Sequence, residues 1–214
     1  DLEQLDAHGW DLVRRPTGGR AVLHVDEMTY SVSGPVDEPR LSGTVLESYN
    51  RIATALITAI KTLGLQVQLQ EVVQQEKGKV NPVCFQTPST YEITVAGKKL
   101  IGSAQVRRKD SMLQHGSLPL TGDLGRITRV LAYPDPASQA RAREKLLGHA
   151  ITVEEALGSP VTWEQAASAF SHAFSKVFDL NLEPGELSDQ EFNRAQDLQA
   201  EKYSIASGFT RKQG

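Results

Sequence analysis

The chain has 214 residues, of which 39% are hydrophobic, and its formal net charge is −3. This length is enough to bury one substantial core, and we expect a single domain. The slight negative charge and the scattered Lys and Arg residues exclude nucleic acid and anionic membranes as main partners, because both require clustered positive charge.

The single cysteine and the short apolar runs bear on the cellular location. One cysteine cannot form an internal disulfide, which is typical of a reducing cytoplasm. No apolar run approaches the roughly 20 residues that cross a bilayer, and the N-terminus has no signal-peptide pattern. We therefore expect a cytoplasmic protein that makes no contact with the membrane.

The first third of the chain predicts strands and then a helix. Short runs of apolar and β-branched residues predict strands at residues 11–15, 21–25 and 28–32. From residue 42 onward, apolar side chains recur every three or four residues, which predicts an amphipathic helix that begins at the cap Ser42 and ends at Gly64.

The middle of the chain predicts a sheet built from neighbouring strands. Residues 66–70 are predicted as a strand, and residues 91–95 and 98–106 as a hairpin with Ala96 and Gly97 in its turn. A further strand is predicted at residues 112–120. Arg107 to Lys109, between these strands, are interpreted as a solvated hairpin tip, and Gly116 as the site of a possible bulge.

The last third of the chain is predicted to be helical. Capping residues and apolar spacing predict helices at residues 138–147, 153–157, 163–178 and 189–203. Together with the strands, this predicts an α+β fold with a mixed, mainly antiparallel sheet, flanking helices and a helical C-terminal segment at residues 135–214.

Two adjacent glycines lie between the first predicted strands. Gly18 and Gly19 follow Arg14 and Arg15 and precede Arg20, and they allow close backbone approach with exposed N–H groups. Such a loop can receive an acyl carbonyl or a phosphate, or it can simply turn the chain. The sequence alone leaves these alternatives open.

The only thiol, Cys84, lies in a proline-flanked segment ahead of the hairpin lysines. A lysine ammonium beside the sulfur would favour the thiolate, which is the form that attacks a thioester. The alternative is a buried cysteine that acts as a small apolar residue. His115 and Ser117 are close in sequence, but no glycine elbow supports a hydrolase triad there.

Two motifs resemble those of the lipoate–protein ligase and octanoyltransferase family, whose fold is shared with biotin protein ligases. The segment from Arg14 to His24 resembles the family's acyl-binding loop, and the segment from Gly97 to Gln105 resembles its lysine strand. The resemblance extends over about residues 11–120 and, more loosely, over residues 152–158 and 201–203. It implies the biotin/lipoate protein ligase catalytic-domain fold.

Two details resemble the cysteine-dependent octanoyltransferase branch more than the ATP-dependent ligases. In that branch a Cys-Phe pair precedes Pro-Ser, as Cys84 does here, and a lysine follows fifteen positions later, at Lys99. Arg20 stands where ligases typically have a third glycine, and a bulky cation there conflicts with the usual pose of the acyl-adenylate.

The resemblance implies the roles of the site residues. Cys84 is expected to be the nucleophile, and Lys99 to lower the pKa of its thiol and to orient the acyl carbonyl. No metal and no cofactor are implied. The expected substrate-binding residues are Arg15, Gly18, Gly19, Arg20, His24, Gly102, Ser103 and His115.

The implied reaction moves an octanoyl group from octanoyl-acyl carrier protein, through a cysteine thioester, to a lysine of a lipoyl domain. The acceptor would be glycine cleavage H protein or dehydrogenase E2, and we expect a monomer. The alternatives are an amidotransferase between lipoyl domains, an ATP-dependent lipoate–protein ligase and a non-catalytic module that binds lipoyl domains.

The resemblance also implies a domain organisation. Residues 1–214 are expected to form one catalytic domain. Family members have several dozen residues ahead of the paired arginines, so the N-terminal part of the family domain is expected to be missing from this chain.

Overall fold

The computed structural model describes residues 1–71 and 91–203. Its elements are α1 (Leu2–Ala7), β1 (Glu27–Pro35), α2 (Val45–Thr62), β2 (Gln68–Glu71), β3 (Tyr91–Val95), β4 (Lys98–Arg107), β5 (Ser111–Pro119), a 3₁₀ helix (Leu124–Arg129), α3 (Pro136–His149), α4 (Val153–Leu157), α5 (Trp163–Phe178) and α6 (Asp189–Glu201).

The described strands form one antiparallel sheet in the order β1-β5-β4-β3-β2. Helices α2 and α5 cover one face of this sheet, which we call the helix face. Ile52 and Leu56 of α2 and Phe170 of α5 are buried in the shared core. Burying each such side chain contributes about 1.5–3 kcal/mol. The predicted α+β fold with flanking helices is confirmed.

Helix α2 begins with a capping box. The Thr44 hydroxyl accepts a hydrogen bond from the Glu47 N–H, while the Glu47 carboxylate accepts one from the Thr44 N–H. The prediction that Ser42 caps this helix was wrong, because only Thr44 has a glutamate three residues later to complete the box. The predicted end is confirmed, since Gly64 follows the last turn with a φ of +95°.

The predicted hairpin of β3 and β4 is confirmed. Its turn residues Ala96 and Gly97 have φ angles of +49° and +76°, as a type I′ turn requires. This turn fixes the pairing of Thr94 with Lys99.

A β-bulge in β4 sets the direction of Lys99. Ile93 pairs with Ile101, but the next residue, Thr94, pairs with Lys99, so β4 has one extra residue at this point. Neighbouring residues of β3 point to opposite faces, and therefore Lys99 and Ile101 do as well. Without the bulge, Lys99 would share the face of Ile101.

Four local predictions were wrong: two strands, a bulge and a solvated hairpin tip. Residues 11–15 form no strand, and within residues 21–25 only Ala21 makes a bridge, because Leu23 packs against Ile127 and Leu146 in a small second core. Gly116 is not in a bulge, since β5 pairs regularly on both sides. Arg107 is not a solvated tip, because Nη1 donates to the carbonyl of Leu41 at 2.9 Å.

The C-terminal helices are confirmed, with α4 and α5 at their predicted bounds. Trp163, the first residue of α5, is 55% exposed. Helix α6 buries no residue. Among the described helices, none is long and apolar enough to cross a membrane.

Candidate active site

The segment from Arg15 to Arg20, which we call the glycine loop, folds into a tight turn. The Gly18 N–H donates to the Arg15 carbonyl at 3.1 Å, and Gly18 and Gly19 have φ angles of +63° and +87°. Side-chain-bearing residues rarely adopt such angles, which explains the paired glycines. Arg15 closes the loop, because its Nη2 donates to the Arg20 carbonyl at 2.5 Å.

The glycine loop is attached to the sheet face opposite the helices, which we call the loop face. The Thr17 hydroxyl and His115 Nε2 lie 2.8 Å apart in a hydrogen bond. His115 pairs with Ala104 of β4, so both side chains point to the loop face. Partial burial, and then electrostatic interactions with Arg15 and His24, lower the pKa of His115. A neutral imidazole at this position is therefore favoured at physiological pH.

His24 and Arg20 complete the polar surroundings of the loop. His24 Nδ1 hydrogen-bonds the carboxylate of Glu27, the first residue of β1. Within the described part of the chain, Nη1 of Arg20 is buried without a hydrogen-bond partner. An unsatisfied buried guanidinium nitrogen is costly, so Arg20 Nη1 is suited to donate to an oxygen of a polar ligand.

Lys99 lies on the loop face at 5% exposure. It shares this face with Gly102 and Ala104, because the bulge separates it from Ile101. Its Nζ donates to Oε1 of Glu92 at 2.7 Å. The structure thus brings a buried ammonium to the sheet face that holds the glycine loop.

Ser103 is separated from the other predicted binding residues. It lies on the helix face, where its hydroxyl hydrogen-bonds the Tyr30 hydroxyl at 2.7 Å. Tyr30 also accepts from Gln114 Nε2 at 3.1 Å, and its burial raises its pKa. The alternation of β4 explains the difference, since Gly102 and Ser103 must point to opposite faces.

Sequence reasoning missed Thr17 and Glu92 as members of the site. Glu92 could have been found from the predicted hairpin, because its turn pairs Thr94 with Lys99 and so places Glu92 diagonally across from Lys99 on the same face. No local signal indicated the contact of Thr17 with His115. Cys84, the predicted nucleophile, lies outside the described residues.

The described residues offer no metal site. Within residues 1–71 and 91–203, no three His, Cys, Asp or Glu side chains are grouped so that they could hold an ion. The described site presents N–H donors and cations on one sheet face, an arrangement that suits a developing oxyanion or an anionic group.

Several known proteins are similar to this chain over most of its length. Octanoyltransferase LipM of Carboxydothermus hydrogenoformans is 39% identical over 204 residues, which cover 95% of this chain and 75% of the relative. Octanoyltransferase LipM of Bacillus subtilis is 34% identical over 209 residues, which cover 95% of this chain and 75% of the relative.

Solved structures share the fold. A bipartite lipoate protein ligase of Thermoplasma acidophilum superimposes with a TM-score of 0.78 at 22% identity, covering all of this chain and 76% of that one. A lipoate-protein ligase A bound with ATP gives a TM-score of 0.70 at 23% identity, covering 92% of this chain and 71% of that one. The model of the lipoyl protein ligase A/B catalytic domain matches residues 1–175. This chain therefore belongs to the lipoyl protein ligase A/B catalytic-domain family.

Proposed function

We propose that this chain is an octanoyltransferase of lipoate biosynthesis, which uses Cys84 as a covalent carrier of the octanoyl group. The observation that carries the proposal is the 39% identity to an octanoyltransferase over 95% of the chain. The buried Lys99 on the loop face supports it. We also propose that residues 1–214 act as one cytoplasmic, monomeric catalytic domain with a helical C-terminal segment at residues 135–214.

In the first step, the Cys84 thiolate attacks the carbonyl carbon of octanoyl-acyl carrier protein. A new carbon–sulfur bond forms on Cys84, and the bond to the carrier's sulfur breaks, so the carrier leaves as a thiolate and takes up a proton. A cysteine beside cationic groups forms the thiolate more readily than one in an apolar setting.

In the second step, the neutral amine of an acceptor lysine attacks the octanoyl thioester on Cys84. An amide bond forms, the bond to Cys84 breaks, and the proton lost by the amine restores the thiol. No ATP is needed, because the donor is already an activated thioester and the exchange onto Cys84 preserves that activation. The proposed acceptor is a lipoyl domain of glycine cleavage H protein or dehydrogenase E2. The similar ligase of Thermoplasma acidophilum belongs to a lipoylation system together with its own E2 lipoyl domain, which supports this class of acceptor.

The described residues suit the charges that develop during transfer. Each step places negative charge on the acyl oxygen, and the Lys99 ammonium and the Gly19 N–H are the proposed donors to it. Arg20, whose Nη1 is buried without a partner among the described residues, is proposed to bind a carbonyl or phosphate oxygen of the donor. Arg15 and Thr17 hold the loop in shape.

The octanoyl chain itself contributes binding energy. Burial at about 0.8 kcal/mol per methylene gives roughly 5–6 kcal/mol, enough to hold and select the acyl group. We propose that His24, Gly102 and His115 contribute to this binding on the loop side of the sheet, together with the glycine loop. Ser103, which points to the helix face, is not included.

Intact-mass spectrometry after incubation with octanoyl-acyl carrier protein, without ATP, tests the proposal. We expect an octanoyl adduct that hydroxylamine removes and that the Cys84→Ala variant does not form. An adduct formed only from octanoylated lipoyl domain would instead indicate an amidotransferase. If product forms only with octanoate and ATP, and still forms with Cys84→Ala, the chain is a ligase. If it binds lipoyl domains without transfer, it is a non-catalytic module.

A further inference from the structure

The ion pair of Lys99 and Glu92 is more buried than the other ion pairs within residues 1–71 and 91–203. Its side chains are 5% and 13% exposed, whereas those of Lys98 and Glu155, one position along β4, are 32% and 53% exposed. Burying two charges has a desolvation cost that a well-packed apolar pair avoids. Stability alone therefore explains the buried pair poorly.

Lys99 is held at both ends of its side chain. Its backbone pairs with Thr94 on one side and bridges to Ala150 on the other, and its carbonyl accepts from the Ile151 N–H at 3.1 Å. A lysine side chain nevertheless has a flexible four-carbon stem, so a fixed backbone does not fix the ammonium. The 2.7 Å contact of Nζ with Glu92 Oε1 supplies that second fixed point.

Glu92 is well placed to do this without occupying the site. It comes from β3, while Gly102 and His115 lie on β4 and β5, farther across the sheet. The carboxylate also places an opposite charge beside a cation that has little contact with water.

We propose that Glu92 is a positioning residue for Lys99, which fixes the ammonium in the orientation that acyl transfer requires. Glu92 touches neither the acyl group nor the nucleophile in this scheme and acts only through Lys99. The inference rests on the proposed function, because it assumes that Lys99 assists the transfer.

The test is the rate at which octanoyl-Cys84 forms in Glu92→Gln, followed by intact-mass spectrometry over time with octanoyl-acyl carrier protein. The substitution keeps the length of the side chain and removes its charge. We expect the maximal rate to fall roughly 10- to 100-fold, since displacing a catalytic group by about 1 Å has effects of this size. The donor concentration for half-maximal rate should stay unchanged, and Glu92→Asp should give an intermediate rate.

A double-mutant cycle separates positioning from a general structural role. If Glu92 acts only through Lys99, Glu92→Gln should cause no further loss in a Lys99→Met background. Glu155→Gln is the matched control, because it removes the carboxylate from the neighbouring exposed pair with Lys98, and it should retain the wild-type rate. Thermal unfolding of each variant shows whether a loss of rate arises from misfolding. If Glu92→Gln does not fold, the rate of Glu92→Asp decides whether Glu92 positions Lys99.

The possible outcomes distinguish failure of the inference from failure of the proposed function. If Glu92→Gln keeps the wild-type rate while Lys99→Met is slow, the role proposed for Glu92 is wrong and that of Lys99 stands. The role of Glu92 is also wrong if Glu92→Gln slows the reaction equally in the wild-type and the Lys99→Met backgrounds. A wild-type rate in Lys99→Met would overturn the role of Lys99 and the inference with it, and absence of any Cys84 adduct in the wild type would overturn the proposed function.

Discussion

His115 connects the glycine loop to the sheet through its side-chain contact with Thr17. Its imidazole lies near Arg15 and His24, and it is partly buried. Protonating His115 would add a further positive charge to this cluster. The attachment of the loop is therefore expected to weaken in acid, before carboxylates are protonated.

The lowered pKa of His115 has a definite effect on stability. The folded chain binds a proton at His115 more weakly than the unfolded chain, whose histidines titrate near pH 6.5. The free energy of unfolding is therefore expected to fall as the pH drops below about 6.5 toward the folded pKa. Urea unfolding at about pH 7 and about pH 5.5 should show a smaller decrease for His115→Gln than for the wild type.

The matched control for His115 is His149→Gln, at the exposed end of α3. This variant should keep the decrease seen in the wild type. If His115→Gln loses as much stability on acidification as the control does, titration of His115 does not cause the fall in the free energy of unfolding.

At the scale of single residues, the sequence predicted types of side chain better than their directions. Lys99 and His115 were predicted as site residues, and both lie on the loop face. Ser103 was predicted with them but points the other way, because a strand alternates and the bulge in β4 decides which residues share a face. A one-residue bulge depends on packing between strands, so no local pattern could reveal it.

At the scale of elements, the neighbouring strands leave no room for a side chain at Gly116 of β5. A Cβ added to Gly116 would overlap the Gly102 carbonyl oxygen and lie 2.7 Å from the Tyr30 ring. Backbone cannot yield as a flexible side chain can, so this position requires glycine. The close approach also explains a glycine in the middle of a regularly paired strand.

Gly116→Ala is accordingly expected to lower the free energy of unfolding by about 1–3 kcal/mol or more, the range for overpacking a filled interior. Gly148→Ala is the matched control, since it adds the same methyl group within α3, where no atom lies within 4 Å. That variant should be stabilised by about 0.5–1 kcal/mol, because alanine favours the helix. Urea unfolding of both measures the contrast, and equal midpoints would contradict it.

Elements with local signals were predicted best. The turn at Ala96 and Gly97 and the helices α4 and α5 depend on residues close in sequence. Residues 11–15 and 21–25 were predicted as strands from their apolar and β-branched residues. They form almost none, because Leu23 packs against the 3₁₀ helix and α3 instead of pairing. Tertiary packing overrode propensity there.

At the scale of the whole molecule, four of the described helices share one electrostatic feature at their N-termini. A carboxylate there accepts hydrogen bonds from the cap residue or from the first turn, and these bonds lower its pKa. The carboxylates are Glu47 of α2, Asp135 of α3, Glu164 of α5 and Glu191 of α6. The largest cause is a hydrogen bond in each case: from Thr44 to Glu47, from Ser138 to Asp135, from its own backbone N–H to Glu164, and from Ser188 to Glu191.

These lowered pKa values predict how the whole fold responds to acid. A carboxylate with a lowered pKa contributes stability above its unfolded value, near pH 4, and this contribution is lost as the pH falls through the folded pKa. Thermal unfolding followed by circular dichroism should therefore show a loss of stability between about pH 5 and about pH 3. The combined variant Glu47→Gln and Glu191→Gln should show a shallower loss, since both residues close capping boxes and glutamine can still do so but does not titrate. If this variant loses stability as steeply as the wild type, the acid sensitivity arises elsewhere than in the helix caps.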